Sequence, residues 1–447
     1  MSVRLFDSLA TTDSLAAVFA DAALLAAMAR FETALAQAEA KAGVIPAAAA
    51  AAIARAAGST SFDAAAIASA ARASGTIAIP FVDMLRARVR AEDPGAATFV
   101  HWGATSQDVS DTALVLCLVA AERILEADHA RLAEALRRIA DKHAATVMLA
   151  RTLLQPAAPT TFGLKAAGWL AESTRGYARI SSAFRDACVV QFGGASGTLA
   201  ALGPHGPEVA SALAGELNVP LPDAPWHAHR DRLAALVAAC GIYTGTLGKI
   251  ARDLSLLMQD EVGEAFEPGG GSSSMPHKRN PAACAIVLAA ANRLPALVAA
   301  FLAGMVQEHE RGLGGWHAEA ATVVAAVQAT GSAVAALAGA IEGLRVDPER
   351  MRANIAGTRG AIFAERAMVL LAPSLGREHA GKIIASALAD SRKDAGTFAE
   401  LLAQDPAARA AIEPVALSTL DVPDAYLGSA EHFRRRLISG LGTNTNG

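Results

Sequence analysis

The chain has 447 residues, with 39 basic and 43 acidic side chains and a net charge of −4. This length allows two or three domains, and the near balance of charge gives no electrostatic reason to expect a nucleic-acid partner. Hydrophobic residues make up 53% of the chain, but much of that share is alanine. Polar residues or prolines interrupt the apolar runs before about 20 residues, so we predict no transmembrane helix.

The N-terminus and the cysteines indicate a reducing compartment. Residues 1–14 lack the apolar core and the small-residue cleavage site of a signal peptide, so we expect a cytoplasmic protein. The cysteines are widely separated and lie within apolar helical patterns, which predicts that they are reduced, buried and inert. They are Cys117, Cys188, Cys240 and Cys284.

Alanine-rich sequence with leucine at three- and four-residue spacing predicts closely packed helices, and strand signals are almost absent. The first such helix has its apolar face at Leu24, Met28, Phe31 and Leu35. Gly43 and Pro46 are expected to end it.

Five long helices are predicted after residue 105. The first starts near Ser110 or Asp111 and runs for some thirty residues, with an apolar stripe at Leu114, Leu118, Leu125, Leu132, Leu136 and Ile139. Similar patterns cover residues 160–186, 230–264, 281–305 and 318–344. Helices of this length are not expected to bury all their apolar faces in one subunit, which predicts self-association.

Asp347 followed by Pro348 is typical of a new helix start, after which the pattern becomes shorter and more charged. We therefore predict an N-terminal helical domain over residues 1–105, a central bundle of long helices over 106–347 and a C-terminal helical domain over 348–447.

Residues 269–281, GGGSSSMPHKRNP, combine many chemical groups in one segment. Three glycines permit unusual backbone angles, and the serines, His277, Lys278 and Arg279 supply donors and positive charge. Asn280 followed by Pro281 is typical of an N-cap and the first residue of a helix. The segment is therefore predicted to close over an anion.

Three further segments contain unusual polar clusters. HWGATSQDVSD (101–111) either carries chemistry or caps the next helix with its hydroxyls and carboxylates. RTLLQPAAPTTFG (151–163) is predicted to be another helix start, with Gln155 as its buried polar group. QEHERGLGGWHAE (307–319) clusters His309, Glu310, Arg311 and His317 and could also be a solvated charged turn.

Together these segments resemble the fumarase/aspartase superfamily over nearly the whole chain. GSSSMPHKRNP is similar to its signature GSSxMPxKxNP at every defining position, and HWGATSQD and RTLLQPAAPTTFG resemble its first and second shared regions. The resemblance implies an all-α fold with three helical domains. It also implies a central bundle that assembles into a tetrameric core, with active sites shared between subunits.

One difference from the superfamily's sequence pattern narrows the choice of reaction. Lyases and fumarases of the superfamily carry a histidine in the second region where this chain has Leu153. A bacterial branch of lactone-forming muconate cycloisomerases also lacks it, and that branch is similar over QFGGASG (191–197), PWHAHRDRL (225–233) and residues 307–319. The resemblance therefore implies closure of a tricarboxylic diene to a lactone.

The resemblance implies that Ser272, His101 and Lys278 are catalytic, with Ser272 the first candidate for proton transfer and His101 the second. The implied substrate-binding residues are Thr105, Ser106, Gln155, Ser273, Met275, Asn280, Arg311 and Arg230. The chemistry requires no metal or cofactor. His227 and His229 form a possible ligand pair, although hydrogen-bonded structural roles are more common for such histidines.

Alternative functions are a fumarate-releasing lyase of the adenylosuccinate lyase type, a cycloisomerase of sulfo-substituted muconate, and a non-catalytic structural protein on the same scaffold. Leu153 argues against the lyase, and the intact signature argues against the structural protein.

Overall fold

The computed structural model describes residues 5–59, 61–271, 274, 275, 277–393 and 395–440. The fold is all-α, as predicted. The N-terminal helices are α1 (Asp13–Val18), α2 (Asp21–Lys41), α3 (Ala47–Gly58), α4 (Ala64–Ser74) and α5 (Ala78–Glu92). In α2, Met28, Phe31 and Leu35 are buried, and Gly43 follows the helix with a φ of +73°. The predicted first helix is confirmed.

Long helices occupy the middle of the chain: α6 (Ser106–Lys142), α7 (Phe162–Ala187), the shorter α8 (Gly206–Leu217), α9 (Asp231–Leu257), α10 (Ala282–Ala303) and α11 (Gly315–Glu342). All five predicted long helices are present. The predicted stripe of α6 is buried from Leu114 to Ile139. Its start lies at Ser106, four residues before the predicted position.

Short helices follow Asp347, whose side chain accepts from the Arg350 backbone N–H and caps α12 as expected. They are α12 (Pro348–Gly357), α13 (Ala364–Leu375), α14 (Arg377–Ser391), α15 (Phe398–Gln404), α16 (Pro406–Ala411), α17 (Pro414–Ser418) and α18 (Ala430–Ser439). Single 3₁₀ turns lie at Leu5–Asp7, Ala96–Phe99, Ala200–His205, Ala361–Phe363 and Pro423–Tyr426.

The described residues contain two small antiparallel sheets that were not predicted. β1 (Val147–Thr152) pairs with β2 (Gln155–Thr161), and β3 (Ala265–Phe266) pairs with β4 (Arg345–Val346). The helix start predicted within residues 151–163 is confirmed at the end of the segment, where α7 begins at Phe162, but the hairpin that precedes it was not predicted.

The chain divides into two compact units. The first comprises Met1–Ala130, Arg175–Lys249 and Ala285–Leu337, and the second comprises Arg131–Thr174, Ile250–Cys284 and Ala338–Gly447. The division into three domains stays a prediction.

All four cysteines are free and buried, as expected. Burial raises the pKa of the Cys117 thiol to about 11 and the pKa values of Cys188 and Cys240 to about 12. The pKa of Cys284 is raised as well, by burial and by the neighbouring Glu267. Thiols with such pKa values carry almost no thiolate near neutral pH, which fits an inert role.

Three described helices are long and apolar enough to cross a membrane by length and composition alone, which the sequence analysis did not anticipate. Two of them, α9 and α11, bury 61% and 67% of their most apolar stretch. The third, α10, buries only 22% of it.

Candidate active site

Asp108 joins three of the segments that the sequence analysis singled out, all in the first unit. Its carboxylate accepts from the backbone N–H groups of Gly193 (3.1 Å) and Gly194 (2.9 Å) and from Nε2 of His227 (2.7 Å). It also accepts from the Thr105 backbone N–H at 3.0 Å. Residues 101–108, 191–194 and 225–230 are thereby fixed around the start of α6, because a buried carboxylate is stable only when donors satisfy it.

Arg230 is the cation of a buried ion network. Its guanidinium donates to Asp111 at 2.8 and 3.2 Å and to Glu319 at 2.8 Å, and its side chain is 1% exposed. Burial acts to lower the pKa of Arg230, but the two carboxylates outweigh it and raise that pKa. Trp316 donates its indole N–H to Asp111 at 3.0 Å. The structure thus places Arg230 where it supports the site, and its contact with a substrate stays a prediction.

Arg311 is held by three consecutive side chains at the start of α6. Its guanidinium donates to the hydroxyls of Thr105 (2.7 Å) and Ser106 (3.1 Å). Its Nε donates to Oε1 of Gln107 at 3.3 Å. The three residues predicted to bind substrate in these two segments therefore lie together.

Gln107 was not singled out by the sequence analysis, although it lies within the first shared region. Its amide nitrogen donates to Asp111 at 3.2 Å and to the His227 backbone carbonyl at 2.8 Å. Because the Asp111 carboxylate and the His227 carbonyl can only accept, the amide nitrogen of Gln107 must face them. The amide oxygen of Gln107 therefore faces Arg311. Gln107 thereby links the Asp111–Arg230 network to the Arg311 guanidinium.

His101 lines a cavity of about 320 Å³ together with Ala78, Ile79, Val82, Asp83, Arg86, Ala104, Thr105 and Ser106. Its Nδ1 lies 2.6 Å from Oε1 of Glu32 on α2. Its backbone has a φ of +62°, which is uncommon for a residue other than glycine. His101 could be identified from the sequence but Glu32 could not, because no local pattern connects two residues 69 positions apart.

The signature segment lies in the second unit, and Ser272, Ser273 and Pro276 are outside the described residues. Its two ends pair with each other, with Gly271 opposite Arg279 and the Asn280 backbone N–H donating to the Gly270 carbonyl. A Cβ at position 270 would lie 1.7 Å from the Asn280 carbonyl oxygen, so only glycine fits there. Lys278 and Met275 are exposed and Asn280 is half-buried.

The predicted N-cap role of Asn280 is wrong. Its side-chain amide donates to the Gly271 carbonyl at 3.3 Å, and α10 begins at Ala282. The buried carboxylate of Glu267 instead accepts from the backbone N–H groups of Ala283 (2.7 Å) and Cys284 (3.2 Å). The negative charge of Glu267 therefore occupies the positive end of α10.

Gln155 begins β2 and is exposed, so its predicted burial is wrong. Thr152 pairs with Gln155, leaving Leu153 and Leu154 as a two-residue turn with φ values of +51° and +65°. Their side chains are 97% and 74% exposed. Leu153, at the position of the lyase histidine, thus stands at the tip of a hairpin.

Among the described residues, no group of three or more His, Cys, Asp or Glu side chains is placed to hold a metal ion. Nε2 of His227 is engaged with the Asp108 carboxylate.

Comparison with known protein families gives the class. The family described as lyase matches residues 9–295, and the family described as adenylosuccinate lyase C-terminus matches residues 360–437. The chain belongs to the fumarase/aspartase lyase family.

Individual relatives cover almost the whole chain. A 3-carboxy-cis,cis-muconate cycloisomerase from Bradyrhizobium diazoefficiens is 47% identical, over 99% of this chain and 99% of its own. The crystal structure of 3-carboxy-cis,cis-muconate lactonizing enzyme from Pseudomonas putida matches with a TM-score of 0.93 and 41% identity, over 98% of this chain and 99% of its own. A nitrosuccinate lyase from Streptomyces davaonensis is 40% identical, over 95% of this chain and 92% of its own.

Proposed function

We propose that this chain is a cycloisomerase that converts 3-carboxy-cis,cis-muconate to 4-carboxymuconolactone in the protocatechuate branch of aromatic catabolism. The observation that carries the proposal is full-length identity of 47% to a relative with that name. The side chain at position 153 supports it, because a leucine cannot supply the proton that an elimination lyase takes from its histidine.

The reaction explains why that histidine is dispensable. A carboxylate oxygen of the substrate adds to one carbon of a double bond, and the electron pair moves to the carbon α to another carboxylate. A proton then reaches that carbon. In the reverse direction the leaving group is a carboxylate, which departs without protonation. The lactone-forming enzyme therefore needs one proton-transfer group and a means of holding the negative charge on the enolate-like intermediate.

In this proposal, fixed donors and cations stabilise the negative charge on the enolate-like intermediate. Arg311 supports this role because Thr105, Ser106 and Gln107 hold its guanidinium in one orientation, and donors fixed in advance commonly contribute a few kcal/mol each. Lys278 and Asn280 follow by resemblance, and Ser272 is the proposed proton-transfer residue. Ser273, Met275 and Gln155 are proposed to complete the substrate contacts. No metal or cofactor takes part.

The proposed assembly is a homotetramer with active sites shared between subunits. It is supported by α10, where Ala285, Ala289, Ala296 and Ala299 are exposed on a strongly apolar helix. Small side chains allow another helix to approach closely, and covering this surface removes apolar area from water. The exposed Leu153–Leu154 turn is proposed to reach the site of another copy.

We further propose a cytoplasmic location, consistent with the buried free cysteines, and the three-domain division at residues 105 and 347. A fumarate-releasing or related elimination lyase is the second candidate, which the 40% identity to a nitrosuccinate lyase favours. A sulfo-substituted muconate is the alternative substrate for the same ring closure.

Turnover of defined substrates separates these functions. Purified protein is incubated with 3-carboxy-cis,cis-muconate, its sulfo analogue, adenylosuccinate and nitrosuccinate. We expect loss of the diene absorbance with carboxymuconate and a lactone product identified by NMR. Ser272→Ala should abolish this activity, whereas Ser274→Ala, at the variable position of the signature, should retain it. Release of fumarate or nitrite with no lactone would overturn the proposal.

A further inference from the structure

Glu32 has a buried carboxylate of which one oxygen contacts a histidine ring and the other has no hydrogen-bond partner among the described residues. It lies on α2, its side chain is 1% exposed, and its Oε1 contacts Nδ1 of His101 at 2.6 Å. Its other oxygen, Oε2, is buried without a hydrogen-bond partner among the described residues. A buried carboxylate needs a compensating positive charge, and the His101 ring is the group in contact with it.

The contact fixes the orientation of the His101 ring. A carboxylate oxygen only accepts, so Nδ1–H of His101 donates to Glu32. Nε2 is then the ring nitrogen that remains for a ligand. His101 lines the cavity that also contains Thr105 and Ser106, the residues that hold Arg311.

The charged groups around His101 come from three helices. Glu32 on α2 and Asp108 on α6 favour the protonated ring, and Arg86 on α5 opposes it. Arg86 is itself paired with Asp83 at 2.8 Å, which weakens its effect. Burial acts first to lower the pKa of His101, but the carboxylates outweigh burial and Arg86, so the pKa is raised above its ordinary 6.5.

We propose that Glu32 is a positioning residue that holds His101 as an imidazolium, whose Nε2–H binds one carboxylate of the substrate. This rests on the proposed function only for the identity of the polycarboxylate. The negative charge of Glu32 lies at the Nδ1 side of the ring and away from solvent. The Glu32–His101 pair, called the dyad below, therefore presents Nε2–H to the cavity as a charge-assisted hydrogen-bond donor.

Glu32→Gln removes the charge and keeps an amide oxygen that can still accept from Nδ1–H. If Glu32 acts only through ring orientation, this variant behaves like the wild type. If it acts through charge, the pKa of His101 falls, and substrate binding is lost at a lower pH. The basic limb of the kcat/KM profile should then move toward acid by about one pH unit or more. The effect should appear mainly in KM.

Glu39→Gln is the matched control. Glu39 lies seven residues further along α2 and is also fully buried. Burial, together with Glu32, raises the pKa of Glu39 to about 9. It is therefore mostly neutral below about pH 8, where an amide leaves the charge around His101 unchanged. We expect its pH profile to coincide with that of the wild type.

Two measurements do not depend on turnover. The first is calorimetric binding of propane-1,2,3-tricarboxylate from pH 5.5 to 8.5, which should weaken at lower pH in Glu32→Gln than in the wild type. The second is the titration of the His101 ring by NMR in ¹³Cε1-histidine-labelled wild-type protein. His101→Asn identifies that resonance among the 11 histidines, and asparagine tolerates a positive φ.

A His101 ring that titrates below pH 6.5 would overturn the proposal, as would a pH profile that Glu32→Gln leaves unchanged. The NMR result remains decisive if Glu32→Gln does not fold. Failure to turn over carboxymuconate, combined with a raised His101 pKa and pH-dependent tricarboxylate binding, would instead reject the proposed function and leave the dyad intact.

Discussion

At the level of single residues, position 153 is unusual in both chemistry and backbone. Leu153 and Leu154 adopt positive φ values in a two-residue turn, where asparagine and glycine are the favoured residues. Left-handed backbone costs a branched side chain about 1–2 kcal/mol per residue. Both side chains also face solvent. Strain together with exposed apolar surface favours a functional role for this turn.

The variant Leu153→Asn/Leu154→Gly tests that role. It should raise the free energy of unfolding by about 1–2 kcal/mol, because both new residues accept the left-handed region, while the larger entropy that glycine loses on folding offsets part of the gain. The same variant should lose at least about tenfold in kcat/KM, as expected for strain kept at a functional site. Chemical denaturation and steady-state kinetics measure the two effects. Higher stability with unchanged kinetics would show that the turn does not contact substrate.

Two of the three side chains that touch Arg311 could be predicted from the sequence, whereas the third, Gln107, and the buried acids Glu32 and Glu319 could not. Thr105, Ser106 and Arg311 lie in segments whose composition is unusual in itself. Glu32 lies in an ordinary amphipathic helix, and Glu319 lies at the end of a charged segment that could also have been a solvated turn. Their partners are far away in sequence, and no spacing rule connects a buried acid to such a partner.

At the level of elements, the helices were predictable because burial repeats every three to four residues along them. The hairpin of β1 and β2 was not. Pro156 and Pro159 lie within β2, and its turn is Leu153–Leu154 where Asn-Gly would be the recognisable signal. Tertiary context, and not local preference, determines this element.

Glu39, on α2, makes the free energy of unfolding of the protein depend on pH. The folded state keeps the Glu39 proton up to about pH 9, whereas the unfolded chain releases it near 4.5. Between these values the folded state binds more protons, so this group makes the protein less stable as pH rises, by about 1.4 kcal/mol per pH unit. Glu39→Gln removes that dependence.

We therefore expect the free energy of unfolding of Glu39→Gln to be close to that of the wild type at pH 5 and clearly higher than that of the wild type at pH 8. Urea denaturation at pH 5, 6.5 and 8, at one protein concentration, measures the difference. Subtracting the two proteins cancels the other titrating groups. A difference that stays constant with pH would show that Glu39 is ionised in the folded protein.

At the level of the whole molecule, the apolar composition is explained only in part by the core. α9 and α11 bury most of their most apolar stretch, but α10 buries 22%. An apolar helix of this length that remains in contact with water is unfavourable, because roughly 25 cal/mol is gained for each Å² of apolar surface removed from water. Either other copies of the chain or a lipid bilayer would cover it.

Glutamate substitutions on the exposed face of α10 distinguish a cover of other copies from a lipid bilayer. Ala289→Glu/Ala296→Glu places two carboxylates on this face, where helix packing would leave them buried and unpaired. We expect the proposed tetramer to dissociate, as measured by light scattering after gel filtration, and activity to fall with it, because the proposed sites need more than one copy. Ala385→Glu, on the exposed face of α14, should change neither property. If the wild type is a monomer that floats with lipid vesicles and the double variant does not, a bilayer and not a second copy covers α10.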